Sequence, residues 1–145
     1  MANDNWETPD VLFDRYNARF SFTLDAAANQ DNHKCDRWFG PGGESEDALS
    51  AINWPLEEGN IWLNPPYSRG LQRRFIEKAL AEITRIWLSP YAMAHNVVAL
   101  LPADTSTKLF HELIQPNGEI EFLKGRITFK GASGKPKFAS MVVIF

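Results

Sequence analysis

The sequence predicts an α/β domain built on a mostly parallel sheet. Three features carry that expectation. Two apolar runs, Ile61-Trp62-Leu63 and Val97-Val98-Ala99-Leu100-Leu101, lack the polar alternation of a half-exposed strand and suit strands covered on both faces. Each is stopped by proline, Pro65-Pro66 in one case and Pro102 in the other, which cannot continue a hydrogen-bond ladder. Between them Leu71, Phe75, Ile76, Ala79, Leu80 and Ile83 recur at helical spacing, the mark of an amphipathic helix.

Taken in order, the chain opens its ordered part at Trp6-Glu7-Thr8-Pro9. Thr8 suits an N-cap, Pro9 the first helical position and Asp10 the first turn. Val11, Leu12, Phe13 and Tyr16 give this helix an apolar side, and its N-terminus suits the carboxylate of an amino-acid-like ligand. Phe20-Ser21-Phe22-Thr23-Leu24 alternates as a strand and reaches Asp25, a carboxylate at a strand's carboxyl end or simply a turn residue. Ala26, Ala27 and Ala28 follow, where small residues admit close approach of a ligand. The glycines of a dinucleotide fingerprint are missing.

Residues 29–36 are polar. His33 and Cys35 suggest metal only weakly, since zinc takes four ligands and His95 and His111 lie far away; no metal is expected. Arg37-Trp38-Phe39 reads as a short strand broken by Gly40-Pro41-Gly42-Gly43, and an acidic loop, 44–47, follows. Past the helix, Ala103 to Thr107 is a polar loop, and Ser106 or Thr107 caps a helix from Lys108 to Ile114. Strands are expected at 119–123, at 127–129 after the Lys124-Gly125-Arg126 turn, and at 141–145. Residues 130–139 read as a basic loop, suited to phosphates or merely solvated. No repeat and no second-domain boundary is visible, so residues 1–145 are expected to form one domain.

With 145 residues, 44% of them hydrophobic, the chain can bury a core. No apolar run approaches the roughly 20 residues of a membrane span. Met1 to Asn5 lacks the basic and apolar parts of a signal peptide, and Cys35 is the single cysteine, so a reducing cytoplasm is expected. The net charge of −3 conceals an asymmetry: residues 1–68 carry −8 and residues 69–145 carry +5. A basic surface facing phosphates would account for it; so would attraction between the halves.

The chemistry gathers at Asn64-Pro65-Pro66-Tyr67, on the loop at a strand's carboxyl end, where open α/β sheets bind ligands. The stretch resembles the signature of amino-group methyltransferases that use S-adenosylmethionine. An exocyclic amine is a poor nucleophile because its lone pair is delocalised into the base. Two acceptors aimed at its N–H groups would free that pair. Asn64 would offer its side-chain oxygen and Pro65 its carbonyl, held by the fixed φ of Pro65 and Pro66, while Tyr67 would offer a face for stacking. The plain alternative is a proline-rich turn. Arg69, Arg73 and Arg74 lie just beyond, on the exposed side of the next helix, as candidate DNA contacts.

The whole order of motifs is similar to the small phage-type DNA N-6-adenine methyltransferases, the Dam-like family. The matching stretches are Trp6-Glu7-Thr8-Pro9 with Leu12-Phe13, Phe22-Thr23-Leu24-Asp25-Ala26-Ala27, Asp47-Ala48-Leu49 before Trp54, and Trp62 to Ser68. Leu101 to Thr105, Phe110-His111 and Phe122 to Phe129 complete the set. The resemblance implies a Rossmann-like methyltransferase fold whose last strand runs antiparallel, with S-adenosylmethionine as cofactor and a flipped adenine of DNA as substrate, in the host bacterial cytoplasm if phage-encoded. It assigns cofactor contacts to Thr8, Pro9, Asp25, Ala26, Ala27, Asp47, Ala48 and Asn64, with catalysis at Asn64, Pro65, Pro66 and Tyr67. Lys124, Arg126, Lys130, Lys135 and Lys137 become candidates for DNA contact. Related signatures serve enzymes acting on RNA adenine or on protein glutamine amides. A non-catalytic nucleic-acid binder is the third possibility, though it would not need the Asn64–Tyr67 set.

Overall fold

The computed structural model describes residues 6–68, 70–90, 93–132, 134, 136 and 138–145. Helix α1 (Asp10–Phe20) leads to strand β1 (Leu24–Asp25), and a long connection reaches β2 (Ile61–Leu63). Helix α2 (Leu71–Trp87), β3 (Val97–Pro102), a π-helical segment (Phe110–Ile114), β4 (Glu119–Phe122) and β5 (Ser140–Ile144) follow. The sheet has the order β1-β2-β3-β5-β4. The first three strands are parallel, and β5 runs antiparallel between β3 and β4.

The apolar runs are continuous because both faces are covered. Ile61 and Leu63 of β2 and Val97, Ala99 and Leu101 of β3 join Phe75, Ile76, Ala79 and Ile86 of α2 and Phe110 and Ile114 of the π segment in one core. Trp62, Val98, Leu100 and Val142 point the other way, onto Leu12, Phe13 and Tyr16 of α1 and onto Phe129. Alternate side chains of one strand therefore feed two cores, and a slip of one residue would exchange them. Trp62 sits among aromatic rings, with Phe13 edge-on at 5.5 Å and Phe22 at 5.4 Å.

Several boundaries differ from the expectation, each for a local reason. Thr8 does not cap α1; Pro9 takes the cap position, and its carbonyl accepts the Leu12 and Phe13 N–H groups at 3.1 Å. The strand expected at 20–24 is mostly absent. α1 runs on to Phe20, and Asn17 Oδ1 accepts the Phe22 N–H at 2.8 Å, which turns the chain before β1. Residues 37–39 contribute two isolated parallel bridges, Trp38 to Asp25 and Phe39 to Ser45, and no continuous strand. Residues 127–129 are not a strand: Phe129 is buried in the aromatic core, and only Lys130 bridges, to Glu7. Thr107, one of the two expected caps, accepts the Phe110 N–H on its hydroxyl at 3.1 Å. No helix among the described residues is long and apolar enough to cross a membrane.

Candidate functional site

The carboxyl ends of β1 and β2 open into a cleft of about 310 Å³. Ala26, Ala27 and Ala28 form one wall, Asn64 and Pro66 another, and Gly40, Glu46, Asp47 and Ala48 close it from the 26–60 connection. The alanines lack bulk, so backbone itself lines the space. Gly40 is fixed by geometry: its φ is +134°, and a Cβ there would lie 1.7 Å from the Ala28 carbonyl oxygen. Among the described residues no lysine or arginine lines this cleft, while two carboxylates do. Asp47 is exposed at its rim, and its carboxylate accepts the Leu49 N–H at 3.0 Å.

A smaller cavity, about 30 Å³, adjoins it and shares Ala27, Asn32 and Asn64. Thr8, Asp25, Lys34 and Trp62 line it. Asp25 is 3% exposed, and burial pushes its carboxyl up to about 6 although the Lys34 and Ala27 N–H groups donate to it at 3.0 and 3.2 Å. Two residues of this lining each carry a buried polar atom, Thr8 Oγ1 and Trp62 Nε1, with no hydrogen-bond partner among the described residues. Such orphans are costly unless something fills the place. The Lys34 ammonium is almost buried and bonds Glu7 and Asp10, each at 2.7 Å. Pro9, at the cap of α1, lines neither space.

Asn64 stands between the two cavities with both ends of its amide held. Its Nδ2 donates to the Trp6 carbonyl at 3.2 Å. The Tyr67 hydroxyl lies 3.0 Å from Asn64 Oδ1 and 2.9 Å from the Leu100 carbonyl oxygen. Pro65 is buried, and Pro66 is part-exposed on the cleft. Tyr67 keeps a part-exposed ring, edge-on to Phe129 at 6.0 Å and to Phe138 at 5.8 Å. Burial raises its phenol above the usual range, so it stays protonated. Trp6 stacks on Phe129 and Phe138, tying the N-terminal segment to this corner.

The cations named from sequence are dispersed. Arg73 is paired with Glu77 and Glu112 at 2.8 and 2.9 Å, and Arg74 is exposed on α2. Lys130 is engaged by Glu7 and Asp10 at 3.2 and 2.6 Å. Lys124 and Arg126 line a groove beside α1. Arg69, Lys135 and Lys137 lie outside the described residues. No group of three or more potential metal ligands occurs among the described residues. Sequence reasoning passed over Trp6, Glu7 and Lys34 as site neighbours. Their roles depend on contacts between distant parts of the chain, Trp6 with Asn64, Phe129 and Phe138 and Glu7 with Lys34 and Lys130, which no local pattern encodes.

Comparison with known proteins agrees with this geometry. A family model described as DNA N-6-adenine-methyltransferase (Dam) matches residues 1–143. The chain is 32% identical over 130 residues to a DNA N-6-adenine-methyltransferase of Escherichia phage T1, covering 88% of this chain and 48% of that protein. The chain thus spans about half the length of this curated relative.

Proposed function

The chain belongs to the DNA N-6-adenine-methyltransferase (Dam) family, and from that premise we propose that it transfers a methyl group from S-adenosylmethionine to the N6 amine of adenine in DNA. The reading treats residues 1–145 as one catalytic domain with a Rossmann-like methyltransferase fold, in keeping with the parallel β1-β2-β3 and the antiparallel β5. The observation that carries it is the Asn64 amide, held at both ends at the mouth of a cleft whose charged lining, among the described residues, is two carboxylates.

The residues fit the cofactor. The alanine-lined cleft suits the flat adenosine part, with Asp47 at its rim for polar contact. The adjoining cavity suits the amino-acid end: Asp25 offers a carboxylate to the ammonium, and Thr8 and Trp62, each with an unpartnered polar atom, line the same space. When bound, S-adenosylmethionine supplies an electrophilic methyl on a sulfonium.

Asn64 Oδ1 and the Pro65 carbonyl accept the two N–H bonds of the target amine. That localises the nitrogen lone pair and aims it at the methyl. Attack by that nitrogen would take the methyl from the sulfonium, leaving a neutral thioether, and the extra proton on nitrogen would go to water. Tyr67 is no base in this scheme; it holds Asn64 and presents its ring edge or face to the extracted adenine.

The test is labelled S-adenosylmethionine with unmethylated DNA, followed by nucleoside digestion. Label should appear in N6-methyladenine. Asn64→Ala should cut turnover about 10²- to 10³-fold while cofactor binding by calorimetry persists. Label confined to RNA or to protein glutamine would replace the substrate. Loss of cofactor binding in Asn64→Ala would make Asn64 a binding residue and not a catalytic one.

A further inference from the structure

We infer that the groove between α1 and the 123–127 turn seats the DNA backbone beside the target adenine, with Arg15 joining Lys124 and Arg126 as its phosphate contacts. This deepens the reading above and rests on it. The groove encloses about 320 Å³ and is lined by three cations, by Pro9, Val11 and Ile127 among others, and by no carboxylate.

Most of the described cations are neutralised where they stand. Arg19 pairs with Glu121, Arg37 with Glu44 and Glu58, Arg73 with Glu77 and Glu112, and Arg85 with Glu57 and Glu82. Lys34, Lys78 and Lys130 are likewise paired. Among the described residues Arg15, Arg74, Lys108, Lys124 and Arg126 make no ion pair, and three of these five line this one groove. Like charges held in a shared concavity repel each other, so the arrangement favours an anion entering it. Arg126 donates a long hydrogen bond to the Pro136 carbonyl, at 3.5 Å. Val11, 76% exposed on the same edge of α1, offers an apolar surface to a sugar.

The groove borders the proposed catalytic corner on both sides. Pro9 lines it, and the next residue back, Thr8, lines the small cavity. Ile127 lines it, and two residues on, Phe129 stacks on Trp6, whose carbonyl holds Asn64. A strand lying in the groove is therefore adjacent to the place where its base would be presented. Arg15 comes from the acidic half of the chain, which is why charge counting along the sequence misses it.

The experiment measures binding of a fluorescent 20-base-pair duplex by the chain as salt is varied, for wild type, Arg15→Gln and the triple variant Arg15→Gln, Lys124→Gln, Arg126→Gln. All three side chains are at the surface, and thermal melting should be unchanged. The slope of log affinity against log salt should fall by about 0.9 for each cation removed, roughly 2.7 in the triple variant. Cofactor binding should not move. An unchanged slope in the triple variant, with wild type still binding and methylating DNA, overturns the groove and leaves the function intact. A wild type that neither binds nor methylates DNA overturns both. An effect on capture of poly-glutamate without an effect on the duplex overturns the phosphate assignment.

Discussion

The cleft at the end of β2 and the groove beside α1 are near neighbours of similar size and opposite character. The cleft is walled by backbone and small residues, and its charged lining is Glu46 and Asp47. The groove is walled by side chains, and its charged lining is Arg15, Lys124 and Arg126. A net charge of −3 thus resolves into two local fields of opposite sign. On the function proposed above, the first field suits a sulfonium and the second a phosphodiester. Net charge says little about partners until it is distributed over the surface.

The two regions should also differ in tolerance, and glycines at each measure this. Gly40→Ala places a methyl 1.7 Å from the Ala28 carbonyl oxygen at a φ of +134°, so backbone must move. We expect a loss above about 3 kcal/mol and no stabilisation by S-adenosylmethionine in thermal melts. Gly125, in the groove turn, has φ +73° and open space around it. Gly125→Ala should cost only the left-handed penalty, about 1–2 kcal/mol, with cofactor binding retained. Equal costs would dissolve the contrast.

The second difference is in pH response. Asp25, beside the cleft, has its carboxyl raised to about 6. The ionised form attracts the cofactor's ammonium, so affinity should be full above that pH and fall about tenfold per unit below it. Asp25→Asn should flatten the profile. The sign on folding is opposite. The unliganded folded chain binds this proton more tightly than the unfolded chain, so its stability declines as pH rises from about 4 to about 6. Duplex binding through the groove, which has only arginine and lysine charges, should show neither change.

A smaller effect is expected at Tyr67. Tyr67→Phe keeps the ring between Phe129 and Phe138 and deletes the bond to Asn64. Turnover should fall about fivefold, the worth of one hydrogen bond, with duplex affinity unchanged. A parallel loss of duplex affinity would place Tyr67 on the DNA side of the divide. Smallest of all should be Lys130→Ala. Glu7 and Asp10 already occupy this ammonium, and the pairing with Lys130 and Lys34 lowers the Asp10 carboxyl to about 2. Its removal should leave the salt slope of DNA binding nearly unaltered, in contrast to Lys124→Ala.

The sequence announced the interior of this fold better than its edges. Ile61–Leu63, Val97–Leu101 and the α2 pattern were readable because burial on both sides, or on one stripe, leaves periodic marks. The strand expected at 127–129 was not formed, because a buried Phe129 in an aromatic cluster has the same local signature as a strand residue. Thr8 resembles a cap because its side chain suits one; its hydroxyl is instead buried without a hydrogen-bond partner. The Asn64 loop was legible through chemistry. Its brace, the Trp6 carbonyl, was not, since a backbone contact across 58 positions leaves no trace in residue type. Arg15 follows Val11 by one helical turn on the exposed edge of α1, and that spacing was the one available hint.

A phenol has a single hydrogen, and that of Tyr67 has two acceptors within reach, Asn64 Oδ1 at 3.0 Å and the Leu100 carbonyl at 2.9 Å. An arriving amine can therefore claim the amide oxygen without stranding a donor in the interior, because the hydroxyl has only to swing toward the strand. The protein's grip on its own residue and, on the proposed function, its grip on a base become interchangeable, and release of that base would run the same swing in reverse.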